Sequence, residues 1–263
     1  MSPDLQRSVG VAVVRRPGPR LAEGLVEHLE RVPGDLELAA EQWAGYVDAL
    51  HDAGWRTVEA PPVDECPDAV FIEDTAVIFA GQAVLARPAR RSRRPETAGV
   101  HRLLDALGVP VDPLPGNGTL EGGDVLKIGD TVFVGRSGRT DAAGIAALRA
   151  QLRPLGKKVV AVPVSTVLHL KTAVTALPDG TVIGFPPFVD APDLFSRFLP
   201  VPEADGSAVL DLGEDRLLMS ASAPRTAALL ADLGYDVRTV AISEFEKLEG
   251  CVTCLSIRLR HLR

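Results

Sequence analysis

Apolar residues recur at helical spacing in four stretches: Ala39, Trp43, Tyr46, Val47 and Leu50; Val100, Leu103, Leu104 and Leu107; Ile145, Leu148 and Leu152; Ala228, Leu229 and Leu233. Residues three and four apart share one helix face, so each stretch predicts an amphipathic helix with that face inward. Each runs into a glycine, Gly54, Gly108, Gly156 or Gly234, where a left-handed residue ends a helix most easily. A short strand-like run follows each glycine: WRTVEAP, VPVDPLP, KKVVAVPV and YDVRTVAI.

Hairpin signals lie between these helix–strand pairs. FIEDTAVIF and QAVLA flank AG, GGDVLKI and TVFVG flank GD, LKTAVTAL and TVIGF flank PDG, and AVLDL and RLLMSA flank GED. The recurring unit is strand, strand, helix, strand. Four copies are visible, and pairing LEGCVTCLSIRL at the end with VGVAVVRR at the start makes a fifth. A period of about forty to fifty residues suggests a propeller-like array closed by its termini. The helix of the third unit is weakest, because APDLFSRFLP has few turns and ends at Pro200. A doubly wound parallel sheet would alternate single strands with helices, whereas this chain offers hairpins first. No low-complexity linker divides it, which predicts one domain over residues 1–263.

The 263 residues are 46% hydrophobic and 24% charged, in the range of soluble globular chains. With 28 Lys+Arg against 35 Asp+Glu the net charge is −7. That balance disfavours nucleic-acid and membrane partners and suits a cationic ligand. No run reaches the roughly 18 apolar residues of a membrane span, and the N-terminal apolar run is too short for a signal peptide. Three cysteines, Cys66, Cys251 and Cys254, are an odd, sparse set that fits a reducing cytoplasm and thiol chemistry.

Four reactive side chains fall at nearly repeat-spaced positions. Asp74 precedes Glu121 by 47 residues, Glu121 precedes His169 by 48, and His169 precedes Cys254 by 85, close to two repeats. Equivalent positions in a ring of like units point to the central axis, so the four can converge. A thiolate nucleophile needs a base or cation beside it, and an imidazole needs a carboxylate to orient it. Glu121 can orient His169 and leave Asp74 free. Together with Asp68 and Glu73, Asp74 supplies an acidic wall suited to a guanidinium, whose N–H fork a carboxylate binds bidentately. Each residue also has a plainer use: histidine between leucines is commonly a hydrogen-bonded core residue, and buried cysteine is commonly inert.

Other motifs carry less. Cys251 and Cys254 form C-x-x-C, but in a β-like run instead of the helix N-terminus a redox pair favours, and Cys66 cannot complete a zinc site alone. RPARRSRR, with Arg87, Arg90, Arg91, Arg93 and Arg94, lacks interleaved aromatics and reads as a solvated loop from which one or two arginines turn inward to a substrate carboxylate. GNGTLEG fails the dinucleotide fingerprint, since Glu121 stands at the third glycine position and no helix follows.

DAVFIEDTAV, LEGGDVL, GRSGRT, LHLKTAV and EKLEGCVTCLS together resemble the dimethylarginine dimethylaminohydrolases of the guanidino-group-modifying (pentein) superfamily, in family order and over nearly the whole chain. The resemblance implies an α/β fold, a five-bladed α/β-propeller of ββαβ repeats with pseudo-fivefold symmetry. It makes Cys254 the nucleophile, His169 the general acid and base, and Glu121 its orienting carboxylate. Asp74 and Glu73 would bind the guanidinium; Asp68, Arg93 and Arg139 would hold the amino-acid end; Phe71 would pack on the aliphatic stem and Leu21 would lie on a lid. The implied reaction is hydrolysis of Nω,Nω-dimethyl-L-arginine, and of the monomethyl form, to citrulline and a methylated amine through a covalent thiouronium. No metal or organic cofactor is required, and the protein would be a monomer or homodimer. The related arginine deiminases carry an additional helical insertion that a chain of this length lacks. An arginine deiminase-like hydrolase of unmethylated arginine is the nearest alternative, and a non-catalytic guanidinium-binding module the next. The free Cys254 thiol is expected to be protonated at neutral pH until a bound guanidinium helps ionise it.

Overall fold

The computed structural model describes residues 9–260. Strands β1 (Gly10–Val14) and β2 (Trp55–Glu59) pair in parallel across helix α1 (Leu36–Asp52). The second blade has β3 (Ala76–Phe79) antiparallel to β4 (Gln82–Leu85), then helix α2 (Glu96–Ala106) and β5 (Val111–Pro113) parallel to β4. The third repeats this with β6 (Val125–Ile128), β7 (Thr131–Arg136), helix α3 (Ala142–Leu152) and β8 (Lys158–Pro163). A single helical turn, α4 (Leu170–Ala173), leads into β9 (Val174–Ala176), β10 (Val182–Gly184) and β11 (Phe198–Pro200). The fifth blade holds β12 (Val209–Gly213), β13 (Arg216–Ser220), α5 (Pro224–Asp232) and β14 (Asp236–Val240). After the short α6 (Ser243–Glu246), β15 (Ile257–Leu259) pairs antiparallel with β1 and closes the ring. The five three-stranded sheets share one pattern, an antiparallel hairpin and a parallel third strand, which is the expected five-bladed α/β-propeller.

The inner strands β3, β6, β9, β12 and β15 surround a cavity of about 1300 Å³ on the axis. Helices seal the seams between blades. Ile145, Leu148 and Leu152 of α3 pack with Val77, Phe79 and Val84 of the preceding blade as well as with Val125, Val132 and Val134 of their own. Val100 and Leu104 of α2 likewise reach Val11, Val13 and Ile257, and Trp43, Tyr46 and Leu50 of α1 reach Leu210, Leu212 and Leu218. Burial of these side chains, about 1.5–3 kcal/mol each, therefore holds neighbouring blades together as well as each helix on its sheet. No helix among the described residues is long and apolar enough to cross a membrane.

The four predicted helices form, with Asp35 and Asp141 as side-chain N-caps of α1 and α3, and all four glycines have positive φ. Two expectations need correction. The core stripe of α5 is Thr226 and Leu230, whereas Leu233 is exposed, because Pro224 starts the helix one register away from the expected face. In the fourth blade APDLFSRFLP forms no α-helix, only the 3-10 turn Pro192–Leu194 ahead of β11, since Pro192 and Pro200 remove amide donors a longer helix needs.

Two glycine-to-alanine substitutions should act with opposite sign. A Cβ on Gly144, in the first turn of α3, would collide with the Thr119 carbonyl, so Gly144→Ala should cost about 1–3 kcal/mol. Gly45, exposed in α1 with nothing near its Cβ position, should gain about 0.5–1 kcal/mol as alanine. Urea midpoints of the two variants against the native protein check both.

Candidate active site

The residues expected to carry the chemistry and to bind the guanidinium sit on or at the start of short turns immediately before, or one residue removed from, an inner strand. Glu73 and Asp74 lie in the 3-10 turn Ile72–Thr75 ahead of β3, and Glu121 starts the turn Gly122–Asp124 ahead of β6. His169 precedes α4 ahead of β9, and Cys254 lies in a turn ahead of β15. The sequence pattern placed FIED, GGD and LKTA in strands. These segments instead close locally: the Asp74 amide donates to Phe71 O (3.3 Å), the Thr75 hydroxyl to Ile72 O (2.7 Å), and the Asp124 amide to Glu121 O (3.1 Å). The C-x-x-C is also a turn, not a β-run, with the Cys254 amide donating to Cys251 O at 3.0 Å.

The turns bring the side chains together. His169 Nε2 is 2.8 Å from Glu121 Oε2 and 3.8 Å from Asp74 Oδ1. Glu121 also accepts from the Ala89 amide (3.1 Å) and Arg139 Nη1 (3.2 Å). Asp74 accepts from the Gly123 amide (2.9 Å) and Arg93 Nη1 (2.8 Å). Gly123 lies flat against the imidazole, since a Cβ there would stand 2.7 Å from its Cγ and Nδ1. Cys254 joins through its carbonyl, which accepts from the Glu73 amide at 3.2 Å. Glu73 pairs with Lys171 through Oε1, while its buried Oε2 has no hydrogen-bond partner among the described residues.

Almost every ionisable group here is out of water, so neighbours decide its charge. Burial works against the His169 imidazolium, but Asp74, the Glu121 hydrogen bond and Asp124 outweigh it and raise its pKa to about 9. Burial likewise opposes the Asp74 carboxylate, and His169 and Arg93 reverse this, holding it below the usual range. The Cys254 thiol is pushed well up by its hydrogen bond with Cys251, by burial, and by the negative Glu73 and Asp74. At neutral pH the site thus holds an imidazolium, ionised Asp74 and Glu121, and a protonated Cys254.

The remaining expected residues are buried around this cluster. Arg93 donates to Asp74, to both oxygens of Glu96, and to Phe71 O and Asp68 O. Arg139 joins Glu121 to Glu27 (2.9 Å), and Asp68 accepts from the Leu25 amide (2.9 Å). Phe71 stands edge-on to Phe245, in one apolar cluster with Leu21 and Cys254. Of the basic run, Arg93 turns inward, Arg90 pairs with Glu27 (2.8 Å), and Arg91 and Arg94 stay exposed. Asp74, Glu121 and His169 offer ligand atoms within 4.8 Å of one another, but Arg93 and Arg139 already supply positive charge to the two carboxylates.

Several contributors escaped the sequence reading. Asp124 fixes the start of α4 by accepting from the Leu170 amide (2.9 Å) and the Ser137 hydroxyl (2.6 Å); its place in LEGGDV was the available signal. Lys171 stood inside LHLKTAV. Glu249, which accepts from the Glu27, His28 and Leu29 amides, stood inside EKLEGCVTCLS, whereas Glu27, which spans to Arg139, gave no signal.

Residues 57–208 match the family model described as arginine deiminase. An N(G),N(G)-dimethylarginine dimethylaminohydrolase of Streptomyces coelicolor is 63% identical over 251 residues, 95% of this chain and 97% of that protein. The protein of the same description from Pseudomonas aeruginosa is 33% identical, over 94% of this chain and 98% of its own. The structure of DDAH from Pseudomonas aeruginosa, a cysteine-to-serine mutant complexed with citrulline, aligns with a TM-score of 0.89 at 30% identity, covering 96% of this chain and 100% of that one. Within the class marked by the arginine deiminase model, the chain belongs to the dimethylarginine dimethylaminohydrolase family.

The raised His169 pKa sets a dependence of stability on pH. Folding favours the imidazolium, so this contribution is complete below about pH 6.5 and is lost as pH rises through about 9. Urea midpoints taken between about pH 6 and about pH 10 should fall over that window, and Glu121→Gln should flatten the fall by leaving His169 nearer its ordinary value. An unchanged slope in the variant would refute the coupling.

Proposed function

We propose that the chain is a single-domain, cytoplasmic hydrolase that converts Nω,Nω-dimethyl-L-arginine to citrulline and dimethylamine, and Nω-methyl-L-arginine to citrulline and methylamine. Family membership supports the reaction class. The observation that carries the reading is His169 held between Glu121 and Asp74, with Cys254 on the adjoining turn and an unpartnered carboxylate oxygen of Glu73 facing no donor of its own. A buried acceptor without a partner is rare and suits a ligand that brings N–H groups.

In this reading Glu73 and Asp74 bind the guanidinium N–H groups and turn its carbon toward Cys254. The cation also offsets the negative charge that keeps the thiol protonated, so substrate binding favours the thiolate. Sulfur attacks the guanidinium carbon, and the His169 imidazolium gives its proton to the leaving dimethylamine as the C–N bond breaks. The thiouronium remains. Neutral His169 then takes a proton from water, the hydroxide adds to the same carbon, and the C–S bond breaks to leave citrulline and the thiol. Glu121 orients the imidazole throughout. No step calls for a metal or organic cofactor.

Asp68 and Arg139 are assigned to the amino-acid end of the substrate, Phe71 to its aliphatic stem and Leu21 to the lid segment. Arg93, whose donors are spent on Asp74 and Glu96, contributes to that end only by exchanging partners; as it stands it braces Asp74. The protein is taken as a monomer or homodimer acting on a small cationic substrate. The match to the arginine deiminase model keeps one rival, hydrolysis of unmethylated arginine, which uses the same chemical groups.

Citrulline formation from dimethylarginine and from arginine, measured side by side, decides between them. The methylated substrate should be preferred, and Cys254→Ala should lower the rate by on the order of 10⁴-fold or more. Faster turnover of arginine would move the substrate assignment, and full activity in the variant would remove Cys254 from the mechanism.

A further inference from the structure

The mechanism leaves one reactive side chain unused. Cys251 Sγ lies 3.4 Å from Cys254 Sγ, with Thr253 Oγ1 at 3.3 Å as its other neighbour. The hydrogen bond from the Cys254 amide to Cys251 O closes the turn, and the two sulfurs face each other across it. Gly250 anchors the turn, since its Cβ position is filled by the Phe71 ring (Cζ at 2.9 Å). A turn closed in this way keeps its end Cα atoms within about 7 Å. A disulfide needs Cα atoms about 4.4–6.8 Å apart and sulfurs about 2.05 Å apart, a span such a turn accommodates, and the sulfurs have to close from 3.4 Å. Cys66, the third thiol, is elsewhere, buried against Ser92 O at 3.1 Å, and burial pushes its pKa to about 11.

We propose that Cys251 and Cys254 are an oxidative modification site: hydrogen peroxide converts them to a disulfide that removes Cys254 from hydrolysis until a thiol reductant restores it. The loss of hydrolysis rests on the reading of Cys254 as nucleophile; the disulfide does not. One thiol of the pair loses its proton, and its thiolate attacks a peroxide oxygen. The O–O bond breaks, the leaving hydroxide takes up that proton as water, and a sulfenic acid forms. The second sulfur attacks the sulfenic sulfur, the S–O bond breaks, and the departing hydroxide leaves as water with the second thiol's proton. Two thiols are oxidised, one peroxide is reduced, and two waters are formed. Either sulfur can react first, because both routes give one product. The S–H···S contact assists the first step, and the hydrogen bond with Cys254 holds the Cys251 thiol below its ordinary value. Without a neighbouring thiol, a sulfenic acid proceeds to sulfinic acid, which ordinary thiols do not reverse.

The test uses the full chain, freed of reductant, treated with hydrogen peroxide, alkylated and digested with trypsin. Peptide 248–258 carries both cysteines. It should come out unalkylated and lighter by two hydrogens, with the alkylatable thiols of the protein reduced from three to one, Cys66. Citrulline formation should fall in step and return on dithiothreitol. In Cys251→Ser the same treatment should add oxygen to Cys254, and most of the lost activity should stay lost after reduction. Both cysteines still alkylated in the native protein, or sulfinic acid at Cys254 formed as fast as in the variant, would overturn the proposal. The native peptide decides this even if the variant fails to fold. A disulfide in a protein that never made citrulline would uphold the thiol chemistry and overturn the functional reading, so the two fail separately.

Discussion

Four short turns, ahead of β3, β6, β9 and β15, have to meet at the site, and between the first three the room is less than a Cβ. A side chain on Gly122 would overlap the Glu73 carbonyl, and one on Gly123 would press on the His169 ring and on Asp74. Those glycines let the second turn lie directly on the first and third. The hydrogen bond from the Gly123 amide to the Asp74 carboxylate, and the backbone bond from the Glu73 amide to the Cys254 carbonyl, then tie consecutive turns together. Side chains brought by three blades and the closing strand are therefore positioned by rigid contacts, as a site of this kind requires. The seams sealed by α1, α2 and α3 supply the free energy that holds the turns in place.

Packing the turns this closely removes water from a group of charges. Buried ions are costly unless each has a partner. Here partners alternate in sign: Glu96, Arg93, Asp74, His169, Glu121 and Arg139 form a chain of contacts between 2.8 and 3.8 Å. The arrangement raises His169 and lowers Asp74 together, as each stabilises the other's ionised form. Cys254 sits on the acidic side of this chain and stays protonated. The same field that suppresses a lone thiolate favours a bound cation, so the electrostatics suit a positive ligand before any specific contact is made.

Much of this was legible. Helices, their terminating glycines, the hairpin turns and the closure of the ring by its ends all follow from local periodicity and turn chemistry, which survive in a single sequence. The spacing of Asp74, Glu121, His169 and Cys254 pointed to convergence because each unit repeats the same path to the axis. What failed were the turns themselves. FIEDTAV and LHLKTAV are almost continuously apolar around their functional residues, and one turn of helix is too short to impose a period against that background. The C-x-x-C was set aside for the same reason. Contacts such as Glu27 with Arg139 or Glu249 with the amides of residues 27–29 connect segments more than a hundred residues apart, and no local pattern announces them.

Those distant contacts hold residues 21–29 against the cluster. Leu25 is held by Asp68, Glu27 by Arg90 and Arg139, and residues 27–29 by Glu249, while Leu21 is buried beside Phe71. The segment is thus fastened mainly by polar links, each worth about 0.5–3 kcal/mol, to Arg90 and Glu249 and to Asp68 and Arg139, the last two assigned to the amino-acid end of the substrate. Arg139 has an anion on both sides, Glu121 behind and Glu27 in front. A carboxylate arriving from solution can replace Glu27 charge for charge, so the buried guanidinium need not lose its outer partner during the exchange. The fastening of this segment and the charge balance of Arg139 draw on one set of groups, and a change at Glu27 affects both. The reacting end is insulated from that exchange, because Glu121 holds His169 and Arg139 through the same oxygen and has the Ala89 amide on the other.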